Sequence, residues 1–300
     1  MKKKTYLFAL MAMALTLGSC SDNENGIGGE TSKYITVSTS IGNMTRVATD
    51  AKGGQTFEEG DEISVYAWTG APTVAPETSE RVVNNAINKL TNGSWVSTPQ
   101  MLWKNNRDKH YFIGVYPTAA ISDLSAGEYT FDANKQTESD LLVAVNKDGL
   151  SYNVDEQQTV PLTFTHVMAK LAVNLTYKNQ WGGIPTVEKV VVGNAAKEAT
   201  INYLTKVVTP STTAKEDFSL PEITENTKYV SVIIPQEEVT QLTIVIGGKN
   251  FVYDNGTPFK LESGKITTVN LEVGRDEIKL GDVKITNWED GSTFSGEALN

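Results

Sequence analysis

Thiol and imidazole chemistry are nearly missing from this chain, which has one cysteine, Cys20, and two histidines, His110 and His166, among 300 residues. A lone cysteine excludes an internal disulfide, so the folded part must be held by its own core even in an oxidising compartment. The two histidines lie in separate strand-like segments with no His-x-x-x-His or similar spacing, so no recognisable zinc set is present. There is no Gly-x-Ser-x-Gly elbow, and the pairs Gly53-Gly54 and Gly247-Gly248 do not open helices, so neither a hydrolase nucleophile nor a phosphate cradle is read. Acid pairs such as Glu58-Glu59, Asp61-Glu62 and Glu237-Glu238 are expected in a chain with 36 acids and read as solvated loop charges. The sequence thus predicts no catalytic residue, no cofactor-binding residue and no metal ligand, and a protein that is not an enzyme. His166 follows an apolar run and is read as a hydrogen-bonded structural histidine.

Positive charge is also scarce. The formal net charge is −10, and it becomes −13 (23 basic against 36 acidic residues) once Lys2, Lys3 and Lys4 are removed with residues 1–19. Such a surface repels phosphate backbones and anionic headgroups, so nucleic acid is excluded as a partner and membrane contact must come by other means.

Long hydrophobic runs are lacking except at the start. There Lys2 to Lys4 precede the roughly 12-residue apolar stretch Tyr6 to Leu17, too short for a stable spanning helix and of the form of an export signal. It ends in Leu17-Gly18-Ser19-Cys20, which resembles a bacterial lipobox, cut before the cysteine once a diacylglycerol is attached to its sulfur. That resemblance implies a signal peptide over 1–19 and a mature chain beginning at lipidated Cys20, held to the membrane through its N-terminal acyl chains. Residues 20–32 carry Asp22, Glu24, Glu30 and three glycines with one large apolar side chain, Ile27, and read as a flexible tether.

From Lys33 onward the chain is rich in short alternating runs broken by Gly, Asn, Asp and Pro, the signature of strands. They include Tyr34 to Ile41, Ile63 to Trp68, His110 to Tyr116, Asp140 to Ala144, Val160 to Phe164, Leu171 to Thr176, Val187 to Val192, Tyr229 to Ile234, Leu242 to Ile246, Phe251 to Tyr253, Ile266 to Val273 and Val283 to Ile285. Arg81 to Leu90 is the nearest approach to a helical period, and its asparagines predict a short helix or an irregular loop. About 268 residues exceed one ordinary sandwich and fit two of about 130 each. The prediction is therefore an all-β protein with two tandem β-sandwiches, an N-terminal one over 33–165 and a C-terminal one over 166–300.

Several segments taken in order resemble the fimbrillin family, whose members build type V pili on Gram-negative anaerobes. They are Thr45-Arg46, Phe57 to Tyr66, His110 to Pro117, Asp140 to Ala144, Leu162 to Leu171 and, at the end, Ile285 to Gly291. The resemblance implies that the two sandwiches are transthyretin-like and that the protein is a structural or adhesive subunit of a cell-surface pilus. It implies that Arg46 is a proteolytic processing site and that Tyr34 to Ile41 is a removable strand. The partners implied are other pilus subunits, joined by β-strand addition, and a receptor on a host or bacterial surface; the place implied is the outer membrane surface or the fimbria itself. The polar, glycine-containing tail Glu289 to Asn300 and the strand before it are candidate donors to a neighbouring subunit. An alternative reading is a surface glycan-binding lipoprotein that stacks sugars on some of its five tryptophans, Trp68, Trp95, Trp103, Trp181 and Trp288.

Overall fold

Residues 33–42, 56–156 and 158–288 are described by a computed structural model of the chain, with the side chains of 238, 240 and 255–257 left aside. Among the described residues nineteen strands are joined by turns and two single-turn 3-10 helices, Thr78–Glu80 and Asn179–Trp181. The first half contains β1 (Thr36–Ile41), β2 (Glu62–Thr69), β3 (Val83–Thr91), β4 (Ser94–Thr98), β5 (His110–Tyr116), β6 (Gly127–Thr130), β7 (Leu142–Leu150) and β8 (Thr159–His166). There follow β9 (Ala169–Tyr177), β10 (Val187–Ala196), β11 (Glu198–Asn202), β12 (Val207–Pro210), β13 (Lys215–Ser219) and β14 (Glu222–Thr224). The last five are β15 (Lys228–Ile233), β16 (Gln236–Ile246), β17 (Lys249–Leu261), β18 (Lys265–Val273) and β19 (Ile278–Asn287).

A seven-stranded sheet runs in the order β1-β8-β7-β5-β2-β3-β4. Its central strands β2 and β5 read as continuous apolar runs because both of their faces are covered. Ile63, Val65, Ala67 and Phe112 enter one hydrophobic cluster, while Tyr66, Trp68, Tyr111, Ile113 and Val115 enter another. By contrast β8 alternates strictly: Val160, Leu162 and Phe164 are buried, and Thr159, Pro161 and Thr163 are exposed. Strands β9 to β19 supply a five-stranded sheet, β14-β15-β9-β18-β19, and a four-stranded one, β13-β10-β16-β17. A three-stranded sheet, β12-β11-β6, takes β6 from the first half of the chain and pairs it with β11, Glu198 opposite Thr130 through Ile201 opposite Gly127. The larger hydrophobic cluster runs without a break from Tyr66 and Ile113 through Val173, Val192 and Ile244 to Val269, so the described residues belong to one compact unit.

The structure corrects one expectation. Arg81 to Leu90 is neither a helix nor a loop but contains most of β3, paired with β2 from Glu62–Lys89 to Ala67–Val83 and with β4 from Ile87–Thr98 to Thr91–Ser94. The asparagines that argued against order serve the strand. Asn85 adopts φ 56° where the β2–β3 register shifts, and buried Asn88 turns its amide back onto the Ala86 carbonyl at 3.0 Å. Two flanking strands supply the pairing that local propensity withholds.

Candidate functional site

The N-terminal strand β1 sits in an apolar seat assembled from distant parts of the chain. It lies parallel to β8, with Thr36 opposite Thr159 and Ile41 opposite Phe164. Because β7 pairs with β8 from Phe164 to His166 only, β1 is, among the described residues, the sole ladder partner of Thr159 to Thr163. Pro161 fits that arrangement: a residue without an amide hydrogen is tolerated where one side of the strand has no ladder. On its far side β1 meets the segment after β4, where the Ile35 amide donates to the Met101 carbonyl at 2.9 Å and the Trp103 amide to Lys33 at 3.2 Å. Farther along, the Trp95 indole of β4 donates to Thr39 Oγ1 at 3.0 Å.

Period-two alternation sends Ile35, Val37 and Ile41 inward, 2%, 6% and 7% exposed, onto a cluster with Met101, Trp103, Phe112, Val160, Leu162 and Phe164. The outward hydroxyls form a polar zipper with β8: Thr36 faces Thr159 at 3.2 Å, and Ser40 donates to Thr163 at 3.1 Å. Half-buried Phe57 closes the cluster, its ring edge-on to Trp95, Tyr116 and Phe164 with centroids 5.3, 5.3 and 5.1 Å away. Ile35, Val37 and Ile41 each contribute roughly 2 kcal/mol by burial, so together they are comparable with the net stability of a whole domain.

Neither Cys20, the predicted lipidation site, nor Arg46, the predicted processing site, is among the described residues. The candidate removable strand is described: Tyr34 forms an isolated bridge with Leu102, and Thr36 to Ile41 form β1. The sequence did not single out Met101 or the Trp95–Thr39 bond, and it offered Trp103 only as a sugar-stacking candidate. Met101-Leu102-Trp103, an apolar triplet after Pro99, was the available signal.

Both histidines are tied into the framework. His110 is fully buried, with Nδ1 against the Asp108 carbonyl at 3.1 Å and Nε2 accepting the Lys104 amide at 3.0 Å. Burial pushes its pKa down, opposed by the Asp108 carbonyl. His166 Nδ1 lies 2.8 Å from Asp140 Oδ1, as expected of a structural histidine. Among the described residues no group of three or more His, Cys, Asp or Glu is arranged to hold a metal ion. Trp68, Trp103 and Trp288 are buried, and Trp95 and Trp181 are half-buried with their indole N–H groups bound to Thr39 Oγ1 and the Val273 carbonyl. Burial thus removes Trp68, Trp103 and Trp288 from the sugar-stacking candidates.

Fold and site together define an all-β protein of packed sheets with its N-terminal strand seated in an apolar groove. The chain belongs to the fimbrillin-like family, whose model matches residues 45–288. Solved structures agree on the fold. A protein of Bacteroides ovatus assigned to cell adhesion superposes with TM-score 0.65 at 17% identity, covering 85% of this chain and 98% of that one. A Bacteroides uniformis protein of the same assignment gives TM-score 0.60 at 16% identity, over 86% and 100%. A fimbrial protein of Bacteroides vulgatus gives TM-score 0.50 at 13% identity, over 84% and 99%. No curated protein matches the sequence.

Proposed function

We propose that the protein is a structural or adhesive subunit of a cell-surface pilus, exported as a lipoprotein through Cys20, cut after Arg46 and assembled by strand exchange. Family membership and the fimbrial and adhesion assignments of the structural neighbours support the pilus role. The observation that carries strand exchange is the seat of β1, where three buried aliphatic side chains and one whole ladder are supplied by a segment immediately preceding Gly42. A subunit that keeps β1 has its groove filled during export. Loss of the segment through Arg46 removes the lipid and β1 together and leaves the groove apolar and Thr159 to Thr163 without a partner, which is the template β-augmentation needs. A subunit that escapes cleavage keeps its Cys20 anchor and serves as a base or display subunit.

The reading is tested on the mature chain with an arginine-specific protease. Cleavage at Arg46 should yield oligomers on size-exclusion chromatography, and Arg46→Gln should lack that cut and remain monomeric. A chain that is cut cleanly at Arg46 and remains monomeric overturns strand exchange. Incorporation of labelled fatty acid that persists in Cys20→Ala overturns the lipoprotein assignment.

A further inference from the structure

Strand β19 ends its sheet and hides very little of itself: Ile278 and Leu280 are half-buried, and every other residue from Lys279 to Asn287 is exposed. It is paired to β18 along its length, Val273 opposite Ile278 to Lys265 opposite Asn287, with a register shift between Val269 and Leu271. Polar ties hold its start and middle. Lys178 and Glu277 form an ion pair, and Asn270 Nδ2 donates to Asp282 Oδ1 at 2.7 Å while accepting from Asn174 at 2.8 Å.

Its end differs. Trp288, 9% exposed, lies flat on the His166 imidazole with centroids 3.9 Å apart and planes 6° apart. Lys170 Nζ also lies over the indole, 4.0 Å from its ring centroid. The Trp288 amide donates to the Gly264 carbonyl at 2.9 Å, and Gly264, at φ 67°, has no side chain where a Cβ would come within 3.1 Å of the His166 carbonyl. His166 is itself held by Asp140, and it closes β8 opposite Leu142.

We infer that Trp288 is a clasp: the His166–Trp288–Lys170 stack is the main side-chain hold on β19, and opening it frees the strand as a unit. The argument is one of distribution. A buried tryptophan removes about 150–250 Å² from water, and an aromatic pair adds a further stabilising term, whereas the body of β19 buries two side chains by half and its surface ion pair contributes little. An edge strand held at one end by a single bulky anchor peels as a unit when that anchor leaves. The occupant that competes for the freed strand is a second copy of this chain. That part rests on the strand-exchange reading, with β19 as donor, and the clasp then decides whether β19 pairs with its own fold or with a neighbour.

Hydrogen–deuterium exchange on the full chain tests this. In Trp288→Ala the amides of 278–287 should exchange on the order of tenfold faster or more, with those of β2 and β5 unchanged. Trp288→Phe and Lys170→Met, which keep a ring or the stack, should give smaller increases and still report if the alanine variant fails to fold. Unchanged protection of β19 in all three overturns the clasp. Faster exchange of β19 with no increase in oligomer formation by the cleaved chain supports the clasp and removes β19 as the donor.

Discussion

Trp95 on β4 donates its indole N–H to Thr39 Oγ1 on β1 at 3.0 Å, so the two end strands of the seven-stranded sheet meet across the N-terminal segment. Backbone bonds on that side are made by Lys33 and Ile35, just before β1, to Trp103 and Met101, and the indole bond extends the contact toward Ile41. Thr39→Val keeps the shape and removes the acceptor, leaving a half-buried N–H without its partner. The expected cost is about 1 kcal/mol, read as a lower urea midpoint with unchanged slope. An unchanged midpoint would show that the closure depends on the apolar side chains alone.

Those apolar side chains make the larger prediction. Ile35 and Ile41 are almost fully buried in the smaller cluster, and replacing either by alanine removes contacts that the surrounding strands cannot fully refill. A loss of about 2–3 kcal/mol each is expected, whereas Ser38→Ala, on the exposed face of β1, should change stability by less than about 0.5 kcal/mol. Equal effects at 35 and 38 would contradict the alternation.

Gly114 is a further test of the seat. A Cβ there would lie 2.6 Å from Phe164 Cζ, too close for any real contact, because the Phe164 ring rests directly on the β5 backbone. Gly114→Ala should cost about 1–3 kcal/mol through forced repacking. Adding Phe164→Leu should make the double mutant more stable than the two single losses summed, since the shorter side chain vacates the space. Thermal melts of the four proteins form the cycle, and strict additivity would sink the argument.

How much of this was legible in the sequence varied with how local the cause was. Leu171-Ala172-Val173-Asn174-Leu175 and Tyr34 to Ile41 announce strands because large apolar side chains recur at every second position in both, although Ala172 between two of them is buried as well. The histidine at 166 reads as structural from its apolar lead-in, and it bonds Asp140. Strand β3 was misjudged because asparagine is a poor former of either regular structure, and only pairing with β2 and β4 shows that Asn85 sits at an irregular point of the ladder. The short polar strands β11 to β14 carry too few apolar residues to stand out; β13 buries only Phe218. The seat of β1 was invisible for a different reason. Its walls come from 95–103 and 160–164, and no window of sequence contains both them and β1.

His110 gives a pH dependence whose sign follows from its surroundings. Burial lowers its pKa from the ordinary 6.5, since the neutral ring satisfies both nitrogens while a protonated Nε2 would lose the Lys104 amide it accepts. The unfolded chain therefore binds the proton more readily than the folded one. Stability is full above the unfolded pKa and falls as pH drops through it toward the lower folded value. Urea midpoints at about pH 7.5 and pH 5.5 should differ more in the native chain than in His110→Asn, whose side chain does not titrate in that range. Identical pH slopes for the two proteins would remove His110 as the cause.

The four arginines, Arg46, Arg81, Arg107 and Arg275, differ sharply in what a protease can reach. Arg81 is 9% exposed, and its guanidinium donates to the carbonyls of Ile121 at 2.6 Å and Ser122 at 2.5 Å and to Asn84 Oδ1 at 2.8 Å. Cleavage after it would require local unfolding, whose frequency falls steeply with the stability of the region. Arg107 is exposed, but its amide and that of Asp108 both donate to Asn105 Oδ1 at 2.8 Å, a tight turn that an extended substrate would have to open. Arg275 is exposed in the turn between β18 and β19, with its amide on Gln180 Oε1 at 3.1 Å and its guanidinium over Trp181. Limited digestion of the folded chain is thus expected to leave the Arg81–Val82 bond intact long after the exposed sites are cut. Because the acceptors are backbone carbonyls, which side-chain replacement at Ile121 or Ser122 does not remove, the informative variant is Arg81→Lys, which cannot span both carbonyls with one ammonium. In that variant a lysine-specific protease should cut after residue 81 at least several-fold faster than the arginine-specific enzyme cuts the native chain, each rate taken relative to the denatured protein. Equal relative rates, read from fragment masses over time, would show that burial of the backbone alone protects the site and that the paired carbonyl bonds contribute nothing.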